Sequence, residues 1–180
     1  MTLSEATRTA GALLTCEPAR SAAEIADHHA IRHQVFVVEQ AIFADADVDA
    51  RDDDSATIRV LGRCDGAAAG SVRLYRLERR LWQGDRLAVL PEYRVLGLGA
   101  PLVRCAVALA GAHGGSAMIA HIQLPNVAFF TRLGWRLAGD VESYAGLPHQ
   151  PMSIGLPPPE TGARIAQELR EGIRRRYRSR

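Results

Sequence analysis

The stretch Arg86-Leu-Ala-Val-Leu-Pro-Glu-Tyr-Arg-Val-Leu-Gly-Leu-Gly-Ala100, with Pro101 behind it, decides how this chain is read. Asp85 to Leu90 is a strand candidate that stops at Pro91. Pro101 suits the first turn of a helix, and the nearly all-apolar run from about Gly99 to Ala112 predicts a buried one. Arg94-x-x-Gly97-x-Gly99 therefore sits between a strand and a helix start. The N–H groups of a first helical turn lack intrahelical acceptors, and the helix dipole is positive there. Glycine lets an anion approach such a backbone closely, and Arg94 can add a charge-assisted bond. The pattern predicts a pyrophosphate cradle, although the glycines alone would equally make a tight turn. A dinucleotide fold fits less well, because the preceding strands read as antiparallel and no acidic strand end follows.

Working outward, Leu13 to Cys16 reads as a first strand. Ser21-Ala-Ala-Glu24 is a capping box opening a helix to about Gln40, with Ile25, His28, Arg32, Val35, Phe36 and Glu39 on one face. Ile42 to Ser55 is an acidic segment, read as a solvated surface loop that could also attract a cationic amine. Thr57–Leu61 and Gly70–Tyr75 alternate around Asp65-Gly66, which predicts a hairpin. Beyond the apolar helix come a buried strand over Ala117–Ile122 and a short helix from Pro125-Asn126 to Leu133. A last antiparallel pair spans Trp135–Val141 and Gln150–Leu156. The expected fold is α/β, a mixed and mostly antiparallel sheet with flanking helices, occupying residues 1–156. Residues 157–180 read as a proline linker and a basic amphipathic helix, with Ile165, Leu169, Ile173 and Tyr177 in one stripe. That stripe predicts packing on the body or on a second subunit, so a homodimer stays open.

Composition narrows the chemistry. The chain has 22 basic residues, all of them Arg. Without Lys there is no P-loop lysine, no Schiff-base lysine and no kinase-type ATP lysine. Residues 160–180 hold seven Arg against three Glu, whereas the remainder holds 15 Arg against 17 acids. The basic character belongs to the tail, which argues against a nucleic-acid partner for the body. The start shows no continuous apolar run, and the longest apolar stretch carries Arg104, so neither a secretory signal nor a membrane span is expected. Cys16, Cys64 and Cys105 are scattered and read as reduced thiols of a cytoplasmic protein. His29 and His33 have helical metal spacing but lack a third partner, so no metal is expected.

The stretch Arg86–Ala100 resembles motif A of the GNAT superfamily of N-acetyltransferases, and Asn126-Val-Ala-Phe-Phe-Thr-Arg-Leu-Gly-Trp135 resembles its motif B. Two blocks in the right order are far more specific than either alone. Ile31 to Gln40 and Gly146 to Met152 are similar to the ElaA-like branch and to acetyltransferases of nitrilase gene clusters. The Arg/Val-Phe helix also recurs in acyl-homoserine-lactone synthases. The resemblance implies an N-acetyltransferase that moves acetyl from acetyl-CoA, as co-substrate, to a small-molecule amine. It also implies splayed parallel middle strands with the pantetheine arm between them. Backbone groups of Leu87 and Val89 would pair with the arm, and a backbone N–H near Val89 would meet the thioester oxygen. Arg94 and the N–H groups of Val95, Gly97, Gly99 and Ala100 would hold the pyrophosphate, and Asn126 would touch the arm or the phosphate side.

The motif-B position that often carries a tyrosine general acid is Phe130 here, which leaves Tyr144, His121 or water to protonate the thiolate. The base candidates are Glu39, His149 and His121. Each has a plainer reading as well: Glu39 as a charge partner of Arg32, His149 as a strand-end hydrogen bonder, His121 as a satisfied core histidine. Arg32, Phe36 and Gln123 are the candidate substrate contacts. The alternatives are a synthase of the acyl-homoserine-lactone type and a non-catalytic acyl-CoA-binding module.

Overall fold

The computed structural model describes residues 11–175. Strand β1 (Ala12–Pro18) leads into helix α1 (Ala22–Arg32), whose start is the expected capping box: the Ser21 side chain accepts from Glu24 N–H, and the Glu24 carboxylate accepts from Ser21 N–H. The helix continues to Glu39 as a π-helix over His33–Glu39, and a short α2 (Ala50–Asp53) interrupts the acidic segment. β2 (Ile58–Cys64), β3 (Ala67–Arg76) and β4 (Leu81–Val89) form an antiparallel meander. A 3-10 turn over Pro91–Leu96 leads into α3 (Gly99–Ala112), then β5 (Ala117–Gln123) and α4 (Val127–Arg132) follow. β6 (Arg136–Leu137), β7 (Glu142–Tyr144), β8 (Leu147–Gly155), α5 (Pro159–Glu171) and β9 (Ile173–Arg175) complete the described chain.

The sheet runs β6-β8-β5-β4-β3-β2-β1-β9, with β7 on β8, and β4–β5 is the parallel pair. β4 and β5 are paired over Leu81–Gln83 and Ala117–Ile119; past that point their partnership ends and they diverge. The divergence has a local cause in β4. Ser71 faces Ala88 and Arg73 faces Asp85, so β4 holds one residue more than β3 across this interval. The extra residue is a bulge at Arg86, whose φ of 53° lies in the left-handed region. A bulge bends and twists its strand, which swings the end of β4 away from β5.

α3 and α5 cover one face of the sheet, α1 the other. The main core lies under α3, and a smaller cluster of Ile31, Val35, Phe36, Leu61 and Ala88 lies under α1. The apolar composition of α3 follows from its position between the sheet and α5. Gly162 permits that contact: a Cβ there would lie 2.4 Å from the Ala108 carbonyl oxygen. The three cysteines are buried and free, and burial pushes the Cys105 thiol up to about 12.

Several expectations change. The C-terminal segment is no uninterrupted helix: α5 ends at Glu171, Gly172 turns at φ 106°, and Ile173 enters β9 against β1. A glycine past the last apolar turn is a helix stop, and this one governs; Tyr177 lies outside the described residues. The last antiparallel pair is shorter than expected, two residues of β6 on β8, and a β7–β8 hairpin was not foreseen. Its turn residues, Ala145 (φ 48°) and Gly146 (φ 77°), both lie at positive φ. Such turns favour Asn-Gly or Asp-Gly, so Ala145 hid the hairpin from the sequence.

The acidic segment is not a solvated loop. Arg32 and Arg73 are fully buried, and Asp47 and Asp52 fold in to neutralise them. A buried guanidinium requires such partners. His28 is buried beneath β3, where its Nε2–H donates to the Val72 carbonyl at 3.2 Å. Burial drives the His28 pKa down to about 3, so the unfolded chain binds a proton there before the folded chain does. The folded state is favoured above the ordinary histidine range and loses stability as the pH falls from about 6.5 toward 3. Urea denaturation at stepped pH is expected to show this decline in the wild type and a shallower one in His28→Gln. Equal slopes would assign the decline to other groups.

Candidate functional site

Where β4 leaves β5, a cavity of about 220 Å³ passes through the sheet. On the α3 face it is lined by Val103, Ala106, Met118, Ala120, Ile122, Phe130 and Trp135. On the α1 face the lining turns polar: Asp49, Tyr75, Asp85, Arg86, His121, Gln123, Tyr144 and His149, with Phe36 and Phe43. Leu87 and Asn126 also border it. The alternation of β5 makes this division, since successive side chains point to opposite faces.

Of the candidates for proton transfer, His121, Tyr144 and His149 reach this cavity and Glu39 does not. His149 stands on β8 with its Nδ1 2.9 Å from the Leu147 carbonyl. A carbonyl only accepts, so in the neutral ring Nδ1 carries the hydrogen and Nε2 keeps a lone pair. Tyr144 packs edge-on against His149, ring centres 5.4 Å apart. Arg86 Nη1 donates to the Tyr144 hydroxyl oxygen at 3.3 Å, which leaves that hydroxyl's own proton available. His121 Nε2 is 3.8 Å from the Glu142 carboxylate.

Glu39 closes a two-pronged ion pair with Arg94, at 2.7 and 2.6 Å. The expected Arg32–Glu39 pairing is therefore replaced. Hydrogen bonding to Arg94 holds the Glu39 pKa below the usual carboxylate range, which weakens it as a base. Arg32, read as a substrate contact, is fully buried and spent on Asp47 and Asp52. Phe36 lines the cavity as a substrate contact would. Gln123 does too, while its Nε2 donates to Gln40 Oε1 at 3.1 Å.

The residues that sequence reasoning missed form one charge network beneath the cavity. Arg73 donates to Asp85 and Asp49 and also reaches Asp52; Arg86 reaches Asp47 and Asp49. Burial alone would raise the Asp52 pKa, but the Arg32 hydrogen bonds outweigh it and hold the carboxyl well below its ordinary value. Arg86 stacks over Phe43, 4.9 Å from the ring centre. A signal was present: Arg73 and Arg86 stand within strands and Arg32 on the apolar face of a helix, so all three needed buried acids. The nearby Asp-rich segment was their only concentrated supply.

The Arg94–Ala100 loop follows β4 past the point where its pairing with β5 ends. Gly97 has φ 71°, and a Cβ there would meet nothing within 4 Å, so the space above the backbone is open. Gly99 is the first residue of α3, where first-turn N–H groups at Gly99 and Ala100 have no intrahelical acceptor. Two details refine the expected cradle. Gly97 N–H already donates to the Arg94 carbonyl at 3.0 Å, and Arg94 Nε donates to the Val89 carbonyl at 2.9 Å. Val95 is exposed beside them. Along β4 from Gly84 on, the edge toward β5 has no strand partner among the described residues, so an extended arm can add there as a strand would. The loop and this edge fit a CoA-like co-substrate. Among the described residues no cluster of three or more His, Cys, Asp or Glu could hold a metal, and no helix is long and apolar enough to cross a membrane.

Comparison with known proteins follows the same outline. The model of the acetyltransferase (GNAT) family matches residues 23–135. YjcF of Bacillus subtilis, an uncharacterized N-acetyltransferase, is 27% identical over 135 residues, 74% of this chain and 94% of that protein. Among solved structures, a putative N-acetyltransferase from Lactobacillus plantarum aligns with a TM-score of 0.73 at 23% identity, over 80% of this chain and 99% of that one. Escherichia coli ElaA aligns at 0.69 and 19%, over 78% and 98%.

Proposed function

The chain belongs to the acetyltransferase (GNAT) family and is an acyltransferase, and from that premise we propose that it transfers an acyl group from a CoA thioester to the amine of a small molecule. Acetyl is the group we propose, with acetyl-CoA as donor. The observation that carries this reading is the parting of β4 from β5 above Gln83, with a loop fit for pyrophosphate following β4 and His149 on the cavity's polar wall.

The transfer needs a neutral amine, a donor to the oxyanion and a thiolate that leaves. His149 Nε2 takes the proton of the bound ammonium. The freed nitrogen attacks the thioester carbonyl carbon, and the carbonyl π electrons move to oxygen, where a backbone N–H of β4 beyond the bulge donates. As the carbonyl re-forms, the C–S bond breaks and its electron pair leaves on sulfur, while the nitrogen sheds its second proton to the phenolate that Tyr144 becomes on protonating the thiolate, leaving a neutral amide. Tyr144 is the hydroxyl placed to protonate the thiolate, the role Phe130 has no atom for. Asp49, on the polar wall, has its carboxylate held by Arg73 and Arg86.

Free-thiol release from acetyl-CoA against a panel of amines tests this reading. Release should depend on the amine, and His149→Gln should lower kcat by about 10²-fold or more, the usual worth of a positioned base, with acetyl-CoA still bound. Release that ignores the amine would sink the acceptor assignment. An unchanged kcat in His149→Gln would move the base to His121, paired as it is with Glu142.

A further inference from the structure

β4 and β5 part beyond Gln83 and Ile119, and one helix end fastens the C-terminal ends of both. β4 ends at Val89, whose carbonyl accepts from Arg94 Nε at 2.9 Å. The same guanidinium closes on Glu39, Nη1 at 2.7 Å and Nη2 at 2.6 Å. β5 ends at Gln123, whose Nε2 donates to Gln40 Oε1 at 3.1 Å. Glu39 and Gln40 are consecutive and close the π-helix, a form of helix that recurs at functional sites. Together they strap the two strands across the gap. The chain then turns back at Ala41, φ 50°, and Ile42 N–H donates to the Phe36 carbonyl at 2.9 Å. Phe36 before the strap, and Ile42 and Phe43 after it, line the cavity.

Arg94 has few N–H groups left for a second anion. Of the five on an arginine, one is spent on Val89 and two on Glu39. The two that remain stand on different nitrogens and diverge, because the guanidinium is a flat, rigid fork. A diphosphate that grips this fork through two parallel bonds must take the place of the Glu39 carboxylate. The barrier to that exchange is low. The two side chains are 43% and 33% exposed, and an exposed ion pair is worth at most about fivefold in an equilibrium. We propose that Glu39 and the donor's pyrophosphate compete for Arg94, and that capture of the donor releases the strap beside Phe36, Ile42 and Phe43. The inference rests on the CoA-thioester reading above, with Arg94 as the cation the pyrophosphate meets. Glu39 is then a positioning residue that acts through Arg94, not a base.

Calorimetric titration of the full chain with CoA tests the competition, in the wild type, Glu39→Gln, Arg94→Ala and the double variant. Glu39→Gln should bind CoA about two- to fivefold more tightly than the wild type, the worth of an exposed pair. The gain should vanish in the Arg94→Ala background, where no guanidinium is left to contest. A general effect of removing one negative charge would persist there, and that result overturns the proposal. Unchanged or weaker CoA binding in Glu39→Gln overturns it too, the weaker result making Glu39 a brace that holds Arg94 for the donor. Amide hydrogen exchange in the wild type tests the release. Gln40 and Ile42, whose N–H groups are bonded to the Val35 and Phe36 carbonyls, should exchange faster once CoA is added. Unchanged or slower exchange there means that the strap stays closed and the proposal fails. If CoA binds none of these proteins, the donor assignment itself fails, a result distinct from CoA binding that ignores Glu39.

Discussion

Gly99→Glu is expected to abolish CoA binding, by at least 100-fold in affinity, and to leave the fold intact. Gly99 opens α3, where unpaired N–H groups and the positive end of the helix dipole would meet the pyrophosphate. A carboxylate introduced there takes the same N–H groups and repels the phosphates. Space is no obstacle: the nearest heavy atom to an added Cβ is Phe129 Cζ at 3.4 Å, and the backbone is not in the left-handed region. An acidic residue in the first turn of a helix is, if anything, stabilising, by about 0.3–1 kcal/mol. Calorimetric titration with CoA reads the first effect and thermal unfolding the second. A folded variant that binds within threefold of the wild type would remove this loop from the site.

Arg73→Ala should cost about 3–5 kcal/mol of folding stability, the usual result of removing one member of a buried ion pair. Arg73 is fully buried, and its guanidinium holds Asp85 at 2.8 and 2.7 Å, Asp49 at 2.7 and 2.9 Å and Asp52 at 2.9 Å. Burial lowers an arginine's pKa, but the Asp85 and Asp49 hydrogen bonds prevail and raise it, so this charge is permanent. Its loss leaves Asp52 to Arg32 and Asp49 to Arg86, and leaves Asp85 with no arginine partner among the described residues. Activity should fall too, because Asp49 and Asp85 line the cavity and Arg73 holds both. Arg94→Ala makes the contrasting control. Its pair with Glu39 is exposed, so stability should change by no more than about 1 kcal/mol, as for surface pairs generally. Urea unfolding separates the two, and a loss below about 1 kcal/mol in Arg73→Ala would show that the network is not what holds the acidic segment down.

The features legible in the sequence are those that local chemistry specifies. Ser21 and Glu24 cap α1 as read, Asp65-Gly66 turns β2 into β3, and Pro101 with its apolar run marks α3 from Gly99 to Ala112. Each depends on neighbours within a few residues. The bulge at Arg86 was not legible, since it is a mismatch in count between two strands and exists only once they pair. Nor was the β7–β8 hairpin, whose Ala145-Gly146 turn departs from the usual preference and delivers Tyr144 and His149 to the cavity.

The loop and helix start over Pro91–Ala100 were therefore determined by the sequence alone: proline, glycine and apolar run act through steric and dipolar effects that need no partner. The tertiary structure decided how each charge is used. Arg32 and Glu39 read as one face of one helix, yet the turn between them is π-helical, and one is buried against Asp47 and Asp52 while the other pairs with Arg94. A charge settles with whatever opposite charge the fold brings near as water is excluded, and that choice depends on distant segments arriving together.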